Sequence, residues 1–246
     1  MRKLPHFFLV ALLAIGVASS PLSFAKEGKP FITAKDLDLT RLLPPPADRD
    51  SPQTKLELAE VLNFQVTRTP DMVARAQADA VENIWRFSDV LGARFNKDKL
   101  PKLNAFFIRV LASEGPVTDP AKDFWKRPRP HQYSDLAKPV VKLSSSYSYP
   151  SGHATAGTLM GIVLANMVPE RRAEIMQRAY EYANNRIVAG IHFRSDVDAG
   201  RMAGTLMAAT LMTHDDFNAE FDTARSELRA ELGLSPLPAV AAAAGR

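Results

Sequence analysis

Eight stretches of this chain repeat apolar residues at intervals of three and four, and none alternates them convincingly at intervals of two. They read TKLELAEVLNFQ, DMVARAQADAVENIWRFSDVLG, LNAFFIRVLASEG, AKDFWK, GHATAGTLMGIVLANMV, ERRAEIMQRAYEYANNRIVAG, DVDAGRMAGTLMAATLM and DDFNAEFDTARSELRAELG. A period near 3.6 gathers apolar side chains on one face of a helix, whereas a half-buried strand needs a period of two. The expected fold is therefore all-α, a single-domain helical bundle over residues 51–233. Gly92, Gly115, Gly190 and Gly233 stand where helices are expected to close, and Pro70, Pro120 and Pro169 near starts or ends. The stretches LMGIVLANMV and MAGTLMAATLM are rich in small residues and too short to span a bilayer, so they read as buried helices in close contact.

The first 25 residues stand apart. Arg2 and Lys3 precede the apolar run FFLVALLAIGVA, and Ser23-Phe24-Ala25 fits the small-x-small rule for cleavage, which together read as a secretory leader. The run falls short of the roughly 20 apolar residues of a membrane anchor, so no stable membrane insertion is expected. Removing the leader takes away Arg2 and Lys3 and lowers the formal net charge from +4 to +2. That near balance, with no long basic tract, argues against a nucleic-acid partner. The expected location is the periplasm. Cysteine is absent, so an exported fold must rest on its apolar core, and thiolate catalysis and thiolate-held metals are ruled out. Residues 26–50, with LLPPPADRDSP, read as an extended Pro-rich arm. Residues 234–246 read as a frayed, disordered tail.

Three segments carry the chemistry. YPSGHATAG sets His153 directly behind Ser151, a candidate N-cap, and the unpaired amides of a helix start form an anion site. KDFWKRPRP contributes Lys122 and Arg129. NRIVAGIHFRSD contributes Arg186, and Gly190 closes one helix before Ser195 caps the next, with Asp198 completing a capping box. His192 is then expected in the turn between two helices, with Asp196 close enough to bond its ring. A carboxylate on one ring nitrogen fixes the tautomer and leaves the other nitrogen a lone pair, which is how a histidine nucleophile is prepared.

Lys122 through Arg129-Pro130, then Pro150-Ser151-Gly152-His153, then Arg186 through His192 to Asp196 match, in order and spacing, the three-part signature of the type 2 phosphatidic acid phosphatase (PAP2) superfamily. LLPPP, SYPSGH and HFRSDVDAGR are similar to the bacterial class A non-specific acid phosphatases, over about residues 42–232. The resemblance implies an exported all-α enzyme of the PAP2 and vanadium haloperoxidase type, taking small phosphomonoesters without cofactor or metal. It implies that Lys122, Arg129, Arg186, Ser151 and the Gly152 amide hold the phosphoryl oxygens and that His192 attacks phosphorus to form a phosphohistidine. His153 then protonates the leaving group. Asn185 departs from the serine usual before the arginine of the third segment; its amide can still donate a hydrogen bond, and the effect of the change is left open.

The remaining candidates read as structural. Lys126 and Arg127 are expected on a solvated helix end and His131 at the surface. His214 stands at a helix start capped by Thr213 or Asp215, and Trp85 and Trp125 belong in the core. The rivals are a vanadium haloperoxidase, in which His192 is a metal ligand, and a non-catalytic phosphate-binding protein. The substrate and the oligomeric state, a homo-oligomer included, are left open.

Overall fold

The computed structural model describes residues 28–240; the expected leader and the last residues of the expected tail lie outside them. Every regular element among the described residues is helical. The chain forms α1 (Leu39–Leu42), α2 (Pro52–Thr67) and α3 (Pro70–Ala78), then a 3-10 turn over Ile84–Phe87 that runs into α4 (Ser88–Leu91). After these come α5 (Pro101–Ala112), α6 (Glu114–Trp125) and the single turn α7 (Pro130–Tyr133). The last four are α8 (Gly152–Met167), α9 (Arg172–Val188), α10 (Arg194–Leu211) and α11 (Asp215–Leu232). No helix among the described residues is long and apolar enough to cross a membrane.

α8 is the axis of the bundle. Its sequence is apolar or small on all sides, the pattern of a helix enclosed by others, and twelve of its sixteen residues are buried. α9 and α10 flank it, and α5 pairs with α11 to extend the core. α10 crosses the start of α8 so closely that a side chain at Gly200 would reach within 2.5 Å of the Ser151 carbonyl. Glycine is required there for the two backbones to meet.

Several boundaries differ from the expectation. The long stretch from Asp71 to Leu91 is not one helix, because the chain turns away after Ala78 and Asp79 is buried as the hub of a polar cluster described below. Gly115 does not close α5; it lies in the first turn of α6, and Pro120 lies inside that helix. Helix α11 starts at Asp215 behind His214, whose side chain makes no capping bond. Trp85 and Trp125 pack against the core while partly exposed. The segment expected as an extended arm carries α1 and sends Phe31, Ile32, Leu37, Leu39 and Leu43 into the core. Beyond Gly233 the described residues fold back on α11, where Arg225 donates to the Pro238 carbonyl and the Val240 amide to Asp222.

Candidate active site

Gly190, at φ 77°, turns the chain sharply after α9, a backbone conformation that glycine adopts without strain. His192 follows in the tight connection to α10, as expected, and is buried. The cap of α10 differs from the expectation. The helix begins at Arg194, and Asp196, not Asp198, accepts from the backbone amide of Phe193 at 2.8 Å. Ser195 is inside the helix and donates its hydroxyl to Glu57 instead. The reason is that the fully buried Asp196 carboxylate reaches back over the helix start, where three further groups converge on it. Its Oδ2 accepts from Ser148 Oγ at 2.6 Å and lies 3.4 Å from His192 Nδ1, while its Oδ1 accepts from Arg127 at 2.6 Å. Ser148 Oγ is itself 3.3 Å from His192 Nδ1. The histidine is thus steered by a carboxylate and by a hydroxyl bound to that carboxylate.

Arg127 overturns its expected place on a solvated helix end. It is 4% exposed and joins Asp196 to Glu57 of α2, reaching the latter at 2.9 Å. Burial works against its charge, but Asp196 and Glu57 outweigh that and raise its pKa. Lys126 ends α6 in a left-handed conformation and stays exposed. Residues 126–129 then run without helical structure, and in extended chain residues two apart point to one side, so Arg127 and Arg129 turn inward together. That alternation is the signal by which Arg127 was discoverable. Glu57 and Ser148 carried none, the first being one acid on an amphipathic helix and the second part of a serine-rich run.

Lys122, Arg129, Gly152, His153, Arg186 and His192 line one pocket of about 310 Å³. Ser151 and Asp196, both fully buried, stand behind it. Ser151 Oγ caps α8 by accepting from the Ala154 amide at 3.4 Å, and its own amide donates to the Asp196 carbonyl. Lys122 Nζ is anchored on the Pro150 carbonyl at 2.6 Å. Arg129 is held by the Ser146 and Ile191 carbonyls, and one arm donates toward His192 Nε2 at 2.9 Å. Burial lowers the pKa of Arg129 to about 10, with Arg186 adding to the effect and Asp196 opposing it. Lys122 and Arg186 are lowered too, chiefly by burial. Arg186 is the outlier: its Nε and Nη1 are buried and have no hydrogen-bond partner among the described residues. A buried donor without a partner costs on the order of 1–3 kcal/mol, more when charged. An anion in the pocket removes that cost.

Asn185 does not face the pocket. Its amide donates to Asp79 at 2.8 Å, beside the two arms of Arg178, which answers where this side chain acts. His153 faces the Ala80 carbonyl and Glu82. His131 is half-buried on α7 and outside the pocket lining. A larger, more apolar groove of about 900 Å³ runs past Tyr180 and Met202, where Arg201 lies over the Tyr180 ring.

The pKa of His192 is pushed well below 6.5 by burial, and further by Arg129, Lys122 and Arg186. Two consequences follow. Below pH 6.5 the unfolded chain takes up a proton that folded His192 refuses, so stability erodes as pH falls through that window, by at most about 1.4 kcal/mol per pH unit, and is untouched above it. The free lone pair also persists into acid. The acid limb of kcat/KM is expected to lie well below pH 6.5 once the substrate's own ionisation near pH 6 is allowed for. A pH profile with a His192-dependent limb at or above 6.5 contradicts this.

The PAP2 superfamily profile matches residues 104–219. A non-specific acid phosphatase of Salmonella typhimurium is 32% identical over 231 residues, 90% of this chain and 92% of that protein. An acid phosphatase of Zymomonas mobilis is 30% identical over 93% of this chain and 92% of its own length. Among solved structures, a bacterial vanadium-dependent iodoperoxidase superposes with a TM-score of 0.53 at 21% identity, over 68% of this chain. The chain spans about half of that protein (51%), and the likeness is one of fold. With close to a third of its residues shared along nine-tenths of its length, and with the profile match across α5 to α11, the chain belongs to the PAP2 superfamily, among its non-specific acid phosphatases.

Proposed function

We propose that the protein is an exported acid phosphatase that hydrolyses small phosphomonoesters through a phosphohistidine on His192. The observation that carries this reading is that Nε and Nη1 of Arg186 are buried without a hydrogen-bond partner among the described residues, beside the pocket that Arg186 lines with Lys122, Arg129 and His192. Phosphoryl transfer spreads negative charge over three equatorial oxygens, and preorganised cations and amides stabilise it without reorganisation. Arg186 offers a planar fork for two oxygens, and Arg129 adds a fixed positive charge beside them, its own donors being held by Ser146, Tyr147, Ile191 and His192. Lys122 and the amide of Gly152 at the start of α8 complete the cradle, with Ser151 fixing that helix end.

Arg129 donates to His192 Nε2, which requires the lone pair on Nε2 and the proton on Nδ1, toward Asp196 and Ser148. Nε2 is therefore the attacking atom. As it bonds to phosphorus the ester P–O bond breaks, and His153 gives a proton to the departing oxygen. Water then attacks the phosphohistidine, His153 takes a proton from it, and phosphate leaves with Nε2 restored. The leader-like segment over residues 1–25 supports export to the periplasm, and a mature protein starting at Lys26 is the check.

The test is turnover of p-nitrophenyl phosphate. Because side chains supply the charge, a chelator is expected to leave the rate unchanged, and inorganic phosphate or vanadate to inhibit competitively. Arg186→Ala is expected to weaken phosphate inhibition about 10- to 100-fold, the worth of charge-assisted bonds to the anion. Activity lost in chelator and restored by a divalent cation overturns the mechanism.

A further inference from the structure

The turn over residues 79–83 is tied down from beneath. Asp79, fully buried at its start, accepts from Arg178 at 3.0 and 2.6 Å, from Arg86 at 3.0 Å and from Asn185 at 2.8 Å. Burial disfavours its charge, yet these donors hold its pKa below the ordinary carboxylate value. Tyr182 adds a bond from its hydroxyl to the Val81 carbonyl at 3.1 Å. So anchored, the turn presents two acceptors to His153: the Ala80 carbonyl 3.0 Å from Nε2, and Glu82 Oε1 3.0 Å from Nδ1. The imidazole ring lies nearly parallel to Tyr182, with 17° between planes and 6.4 Å between centroids. A neutral imidazole donates from one nitrogen only, whereas the doubly protonated ring satisfies both acceptors.

We infer that Glu82 is the positioning carboxylate of the leaving-group acid: it holds the Nδ1 proton of His153, so that the Nε2 proton, resting on the Ala80 carbonyl, is the one delivered to the departing oxygen. This deepens the acid-phosphatase reading and rests on it. In the step, the P–O electron pair stays with the ester oxygen, which takes the Nε2 proton as the His192–phosphorus bond forms. Nδ1–H stays on Glu82 throughout. The neutral ring therefore keeps its lone pair on Nε2, the tautomer needed to take a proton from the hydrolytic water. The remote anchor also accounts for Asn185, which acts on His153 through Asp79 and the turn.

The experiment compares the wild type with Glu82→Ala, Glu82→Gln and His153→Ala on an alkyl phosphate and on p-nitrophenyl phosphate, whose leaving group needs little protonation. Glu82→Ala is expected to lower kcat/KM, which reports the leaving-group step and not the shared hydrolysis of the phosphohistidine, about 10- to 100-fold on the alkyl ester and less than about 3-fold on the nitrophenyl ester. Glu82→Gln keeps an acceptor at Nδ1 without its charge and falls between. Inhibition by inorganic phosphate stays unchanged, since the cradle is untouched. Added to His153→Ala, Glu82→Ala causes no further loss. Glutamine is isosteric at this partly exposed position, so it carries the comparison if the alanine variant does not fold. Equal losses on the two esters, or losses that add to those of His153→Ala, overturn the inference. A leaving-group bias in His153→Ala that no Glu82 variant reproduces overturns it alone, whereas a wild type that hydrolyses neither ester overturns the phosphatase reading and this inference with it.

Discussion

His192→Ala is expected to lower turnover by about 10⁴-fold or more on every phosphomonoester, good and poor leaving groups alike. The size follows from the lack of a substitute at the same point. Ser146 Oγ, on the pocket lining, is held by Arg129, and Lys122 is bound to the Pro150 carbonyl. Neither is prepared by a carboxylate as Nε2 of His192 is. Loss of His192, the proposed nucleophile, leaves the cations in place, so calorimetric binding of inorganic phosphate is expected to survive. Turnover retained within about 100-fold, or an acid-labile phosphoenzyme in His192→Ala, identifies a different nucleophile.

Arg127→Ala is expected to act on the fold as strongly as on the chemistry. It removes the one group seen to bridge Glu57 and Asp196, and leaves both carboxylates buried with like charge. Removing one partner of a buried ionic cluster costs about 3–5 kcal/mol. For a domain of this size each kcal/mol moves Tm by about 2–4 °C, so a fall of roughly 10 °C is expected in thermal unfolding. Below that temperature kcat drops as well, because Asp196 is no longer fixed against Ser148 and His192. Arg127→Lys keeps the charge but cannot reach Glu57, Ser195 and Asp196 together, and rescues only in part. A Tm within about 2 °C of wild type shows that the carboxylates find other partners.

The helical nature of the fold was legible because each long helix buries a face and repeats apolar residues to do so. The pocket was legible because its cations and histidines stand at fixed spacings along three short segments: Lys122, Arg129, Gly152, His153, Arg186 and His192 do meet around one cavity. What escaped was everything held by contacts distant in sequence. Glu57 looks like any exposed acid until α2 packs against α9 and α10. Glu82 sits in a stretch whose apolar spacing continues that of α3, and only the buried Asp79 shows that the helix has ended. The place of Asn185 was hidden for the same reason, since its partner lies 106 residues away. Local pattern predicts a backbone; it does not say which polar groups the tertiary fold will bring together.

The bonds that steady His192 also set an order in time. Glu57 must wait for Arg127, 70 residues later, and Arg127 for Asp196, 69 residues after that. Closing loops of that length comes late, since chain entropy is lost before the contact is gained. A nascent chain that stops just short of Asp196 therefore already carries Lys122, Arg129, Arg186 and His192 but has no way to aim His192. Phosphatase competence is expected only once α10 has been made, and a copy cut before Asp196 is expected to be chemically silent.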